Sequence, residues 1–115
     1  MQIEALTKRL RQFAEDRDWD QFHAPKNLSM ALMVEAAELA EHFQWLSEQQ
    51  SMELSSEKLK EVSYEVADVF IYCLRLADKL GVDLANIVDE KIAINEKKYP
   101  ADKVRGSAKK YTEYE

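Results

Sequence analysis

VADVFIYCLRLA, residues 66–77, is the stretch that decides the fold. Apolar side chains fill it on nearly every side, and only Asp68 and Arg75 carry charge. It continues a segment that runs from about Glu57 without Gly or Pro until Gly81, which predicts a helix over Glu57–Leu80. Ser55 or Ser56 can cap its start, with Glu57 in the first turn, and Gly81 suits the left-handed position that ends it. A helix apolar around most of its girth is buried on most sides, in a bundle centre or between subunits. In so small a protein the second option is attractive.

On either side the same period recurs. Ile3, Leu6, Leu10 and Phe13 predict a first helix over Ile3–Asp16. An aromatic loop, Asp18–Asn27, follows, with Pro25 marking the break. Leu32, Ala36, Leu39, Phe43 and Leu46 predict a second helix over Leu28–Leu46, capped by Asn27. Residues 47–56 are polar and read as a loop. After Gly81, Asp83 can cap a fourth helix over Leu84–Tyr99, which Pro100 closes. The tail from Ala101 to Glu115 brings Lys103, Arg105, Lys109 and Lys110 with Tyr111 and Tyr114. The expectation is one all-α domain over residues 1–115, four helices and a tail.

Composition agrees. Two Gly and two Pro leave few turns for an all-β fold. With 22 acidic against 16 basic residues the net charge is −6, which argues against a nucleic-acid or anionic-membrane partner. A small phosphate ligand stays open, because a bound cation inverts the local charge. Cys73 is the single cysteine, so no intrachain disulfide forms, and its apolar setting suits an inert thiol. The N-terminus is charged and amphipathic, unlike a signal peptide, and no apolar run approaches the ~20 residues of a membrane span. A cytosolic protein is expected.

Two helices carry acids three residues apart, Glu35 with Glu38 and Glu65 with Asp68. Residues i and i+3 share a helix face, so each pair can aim at one place. Asp68 stands among apolar neighbours, where an isolated carboxylate costs several kcal/mol or takes a proton. A divalent cation would relieve both that penalty and the repulsion between pairs, and hard oxygen ligands suit Mg²⁺ or Mn²⁺. Glu35 and Glu38 alone fit solvated acids equally well, and Asp68 could instead pair with Arg75. Glu41, Glu48, Glu53 and Glu57 read as solvated. A di-iron or di-manganese bundle needs Glu-x-x-His pairs, which the two histidines do not supply.

Trp45 falls near the angular position of Glu38, about two turns along, and Tyr72 one turn beyond Asp68. Aromatic groups there could stack a nucleobase. Trp19 and His23 fit that wall or a structural role about equally, whereas Phe22 reads as a staple of the loop onto the core. Lys91 and Asn95, spaced i and i+4, share a face and could grip phosphate or sugar oxygens, though surface solvation alone would account for them.

Glu35-Ala-Ala-Glu38, then 26 residues, then Glu65-Val-Ala-Asp68 resembles the E-x-x-E…E-x-x-D signature of the MazG-like superfamily. Longer blocks sharpen the resemblance to its dCTP pyrophosphatase branch: RDWDQFHAPKNL at 17–28, EAAELAEHFQW at 35–45, EVADVFIY at 65–72, VDL at 82–84, the Lys91/Asn95 pair, Tyr99-Pro100 and the closing KKYTE. The resemblance implies a four-helix bundle-like subunit assembled as a dimer or dimer of dimers. It implies cleavage of a nucleoside triphosphate between the α and β phosphates, with dCTP or a related modified pyrimidine nucleotide as substrate and nucleotide-pool house-cleaning as the role. By motif match, Glu35, Glu38, Glu65 and Asp68 would be catalytic Mg²⁺ ligands. Trp19, His23, Trp45 and Tyr72 would surround the nucleoside, and Lys91 and Asn95 would contact sugar and phosphates.

No Ser, Cys or Lys stands as a nucleophile beside a base, so direct attack by water is the simpler chemistry. Two alternatives remain in view. Phosphoribosyl-ATP pyrophosphohydrolase resembles the same superfamily, but the aromatic loop and Trp45 favour a stacked pyrimidine. A non-catalytic helical adaptor dimer is the other, and it predicts no metal-dependent change in stability.

Overall fold

A computed structural model describes residues 2–107, and its regular elements there are all helical. Helix α1 spans Ile3–Asp16, followed by a 3-10 turn at Asp20–Phe22. Helix α2 spans Pro25–Glu41, the single turn α3 Glu48–Ser51, and the long helix α4 Ser56–Leu80. Helix α5 spans Leu84–Lys98 and the short α6 Ala101–Val104. No helix among the described residues is long and apolar enough to cross a membrane. Lys109, Lys110, Tyr111 and Tyr114 of the basic tail lie outside the described residues.

The chain divides into two units, residues 1–82 and 83–115. In the first unit α4 is the central element, with α2 packed along it and α1 packed over a shorter stretch. Ala14, Leu28, Val62, Leu74 and Ala77 are its buried apolar residues. Leu28 and Leu74 are the large side chains that solvent does not reach. Around this small core α2 and α4 keep much apolar surface: Met33 is 66% exposed, and Met30, Val34, Leu59 and Val66 are at least half exposed. Within the first unit the apolar girth of α4 is therefore only partly covered.

Helix α2 begins earlier than its apolar stripe suggests. Ala24 is extended, as a residue before proline must be, and Pro25 occupies the first helical turn, where its missing N–H costs nothing. Asn27 is thus not the cap. Its side-chain amide donates to the Phe22 carbonyl at 3.1 Å and ties the 3-10 turn to the helix. The helix also ends earlier, at Glu41 rather than Leu46. Beyond it the amides of His42, Phe43 and Leu46 donate to carbonyls three residues back (Leu39, Ala40 and Phe43), which tightens the chain out of the α-helical path.

Within the expected loop 47–56 lies α3, started by a capping box. Ser47 Oγ accepts from the Gln50 amide at 3.1 Å, and Gln50 Oε1 accepts from the Ser47 amide at 2.9 Å. Ser55 caps α4 through the Lys58 amide at 3.1 Å. At the other end Gly81 has φ 69°, with the Gly81 amide donating to Asp78 and the Val82 amide to Ala77, a Schellman closure.

In the second unit, Asp83 accepts from the Asn86 amide at 3.3 Å and so caps α5. The first four residues of the tail, Ala101–Val104, form α6, ahead of Arg105.

Candidate active site

The packing of α2 along α4 brings three of the four motif carboxylates together. Glu35, Glu38 and Glu65 each offer an oxygen atom, and these lie within 4.8 Å of one another. Glu35 and Glu65 are half-buried, and each has one buried carboxylate oxygen with no hydrogen-bond partner among the described residues. The Glu35 carboxyl is pushed up to about 7 by loss of solvent first, then by Glu65, Glu38 and Asp68 around it. Carboxylates so placed repel, and orphaned buried oxygens carry a desolvation cost. A proton relieves this in part. A hard divalent cation would relieve more of it, and an all-oxygen donor set fits such an ion.

Asp68 stands beside this cluster rather than within the same span. It shares with Glu35 a cavity of about 290 Å³ whose other walls are Leu10, Phe13, Trp19, His23, Ile71, Tyr72 and Arg75. Three of the four aromatic or imidazole residues expected around a nucleoside, Trp19, His23 and Tyr72, are therefore on one wall set. Trp19 meets Phe13 edge-on, with ring centroids 5.8 Å apart. Phe22, expected to staple the loop, is instead 60% exposed, and Trp19 makes the aromatic contact with α1.

Trp45 is not brought to that cavity within the chain. It is 86% exposed, because α2 stops before it and the helical extrapolation from Glu38 no longer applies. On the opposite flank, Glu38 and Glu65 border a second hollow with Glu41, His42 and Lys58, so Glu41 is part of the acidic surroundings. Lys91 and Asn95 lie exposed on α5 in the second unit, one turn apart on the same helix.

Arg75 does not pair with Asp68. It is 3% exposed and serves other groups: Nη1 donates to Asp78 at 3.1 Å, and Nη2 reaches Asp20 at 3.1 Å and His23 Nδ1 at 3.1 Å. Asp78 also accepts two hydrogen bonds from Arg11, at 2.6 and 3.0 Å, and Asp20 accepts from Lys79 at 3.1 Å. The bond from Arg11 holds the Asp78 carboxyl below its usual range, and the bond from Lys79 does the same for Asp20. Burial lowers His23, and the charges of Arg75 and Lys79 lower it further against the opposing pull of Asp20. Sequence reading missed this alternating chain of charges. Apart from the local Arg75–Asp78 link, its partners lie 52–67 residues apart, and only an arginine inside an apolar run hinted at it.

The sequence profile of the MazG-like family matches residues 30–114. The chain is 41% identical over 113 residues to dCTP pyrophosphatase 1 of Homo sapiens, and 40% identical to that of Rattus norvegicus. In both cases the match takes in 96% of this chain, which spans 66% of the length of those relatives. Among solved structures, a pyrophosphatase from Archaeoglobus fulgidus superposes with a TM-score of 0.79 at 41% identity, covering 84% of this chain and 91% of that one.

Proposed function

The chain belongs to the MazG-like family, and on that premise we propose that it is a Mg²⁺-dependent nucleoside triphosphate pyrophosphohydrolase. Its substrate is dCTP or a related modified pyrimidine nucleotide, released as the monophosphate and pyrophosphate. The observation that carries this reading is the pair of buried, unpartnered oxygens on Glu35 and Glu65, next to a cavity with aromatic walls. The names of the human, rat and archaeal relatives support the reaction.

Glu35, Glu38, Glu65 and Asp68 would hold Mg²⁺, with Mn²⁺ a workable substitute. When bound, the ion supplies neutralisation of phosphate charge and a lowered pKa for an attacking water. A carboxylate oxygen left outside the ligand set would serve as the general base for the attacking water. Trp19, His23 and Tyr72 receive the nucleoside, stacking being the sequence-tolerant part of base binding. Trp45, which lies away from this cavity within the chain, would join them from a second copy. Lys91 and Asn95 donate to sugar and phosphate oxygens, a role supported by the family resemblance. We read residues 1–115 as one functional domain, since the family match runs through 30–114. The apolar faces of α2 and α4 support assembly as a dimer or dimer of dimers. House-cleaning of the nucleotide pool is the role this chemistry suits.

The test is product release from dCTP with Mg²⁺, comparing the native protein with Asp68→Ala. Pyrophosphate and dCMP from the native protein, with a loss of ~100-fold or more in the variant, is the expected result, since even outer partners of metal ligands are worth about 10–100-fold. Orthophosphate as product would move the cleavage to another bond. No turnover of any nucleotide would favour a non-catalytic adaptor.

A further inference from the structure

We propose that Arg75 is a positioning residue that holds His23 in the tautomer protonated on Nε2, so that the imidazole offers a neutral N–H donor to the cavity's occupant. The proposal rests on the cavity being a nucleoside pocket. The donor would then meet an acceptor on the base, a carbonyl oxygen or an unprotonated ring nitrogen.

The argument starts from the 3.1 Å approach of Arg75 Nη2 to His23 Nδ1. A guanidinium has five N–H donors, no acceptor, and keeps its proton in proteins. In this pair Nδ1 must therefore accept, and a ring nitrogen that accepts carries no hydrogen. The ring proton is left on Nε2. His23 lines the cavity, and with Nδ1 engaged, Nε2 is the ring nitrogen available to a ligand.

Arg75 cannot swing away to release the ring. Its Nη1 is on Asp78, the second direction of Nη2 is on Asp20, and its side chain is buried. Those acids are held in turn by Arg11 and Lys79. The charges acting on His23 are Arg75, Lys79 and Asp20, two cations against one anion. Together with burial they favour an uncharged imidazole, in keeping with a donor that brings no charge to a neutral base.

NMR on the full chain, with ¹⁵N-labelled histidine at neutral pH and without nucleotide, reads the tautomer directly. The expected spectrum for His23 has an unprotonated Nδ1 and a protonated Nε2. A Nδ1–H ring or an imidazolium would overturn the proposal with no variant needed. Arg75→Met should then give a mixture of tautomers. It should also raise KM for the nucleotide roughly three- to tenfold, the scale of one neutral hydrogen bond, with kcat held within about twofold. Arg75→Lys, which keeps the charge but not the planar fork, serves if the methionine variant fails to fold. In a His23→Gln background, where the side-chain amide donates without tautomers, Arg75→Met should raise KM no further. An equal rise in both backgrounds would reduce Arg75 to a structural role and overturn the proposal. A native chain with the Nε2–H ring but no nucleotide turnover would sink the pyrophosphohydrolase reading while upholding the tautomer assignment.

Discussion

Glu35 on α2 and Glu65 on α4 hold carboxylate oxygens within 4.8 Å of each other, and each has a buried oxygen that no donor meets. Carboxylates so placed repel each other, and positive charge between them relieves the repulsion. That relationship makes stability and ligand binding measurable through the same residue.

The sign follows from Glu35, whose carboxyl is raised to about 7 from an ordinary 4.5. Between those values the folded state binds more protons than the unfolded one, so this contribution is full below about 4.5 and is lost as pH rises through 7. Asp20 and Asp78 are lowered from 3.8, so their contributions are lost only as pH falls below that value. His23 is lowered from 6.5 and works in the opposite sense to Glu35 near neutrality. Comparison with Glu35→Gln separates the two. In chelator, thermal melts from pH 5 to 8 should show the native protein losing Tm relative to the glutamine variant. Added Mg²⁺ should restore the native protein more than the variant, by about 2.7 kcal/mol at a hundredfold excess over Kd. Parallel melting curves for the two proteins across this range would refute it.

Trp19 offers a separate handle on base recognition. Truncation to alanine removes a stacking face worth about 1–3 kcal/mol per base. KM for dCTP should rise by roughly 5- to 150-fold, with kcat changing much less. Steady-state kinetics on dCTP and on a triphosphate lacking a base distinguish this from general damage, since the baseless substrate should respond little.

Gly81 closes α4 with φ 69°, and a Cβ there would meet nothing within 4 Å. The penalty for Gly81→Ala is therefore backbone strain alone, about 1 kcal/mol. A Tm lowered by about 4–8 °C with unchanged kcat is expected, checked by calorimetry and product release.

Met33, 66% exposed on α2, sits on the apolar surface proposed to be covered by a second copy. Met33→Glu would bury an unpaired charge at several kcal/mol, enough to weaken association. Sedimentation at micromolar concentration should show at least a dimer for the native chain and a shift to smaller species for the variant. A native monomer would remove the assembly proposal.

Helices α1 and α4 were legible from their apolar period, and in α4 Ser55 and Gly81 mark the ends as well. Helix α1 matches its expected bounds, and α4 differs by one residue at its start. The ends of α2 were misread for local reasons. Pro25 starts a helix as readily as it breaks one, and Leu46 keeps helical spacing in a segment whose backbone has already tightened. The capping box of α3 was readable in Ser47-Glu48-Gln49-Gln50 but lay inside a polar stretch. The nearness of Glu35 to Glu38 was legible because i, i+3 spacing survives folding; Glu65 joins them through helix packing, and Asp68 stands beside the three. In the Asp20–Arg75–Asp78–Arg11 chain only the Arg75–Asp78 link is local, at i, i+3 on α4; the links to Asp20 and Arg11 were not legible, because only tertiary packing makes them.

Helix α1 holds none of the expected site residues, yet Leu10 and Phe13 form part of the cavity wall and Arg11 ends the charge chain that reaches His23. The shape of the pocket and the chemistry beside it are thus written in different parts of the chain. Selection can reshape one without touching the other. Under the proposed function, a bulkier or differently decorated base could be accommodated through substitutions at residues 10 and 13, with all four motif carboxylates left in place.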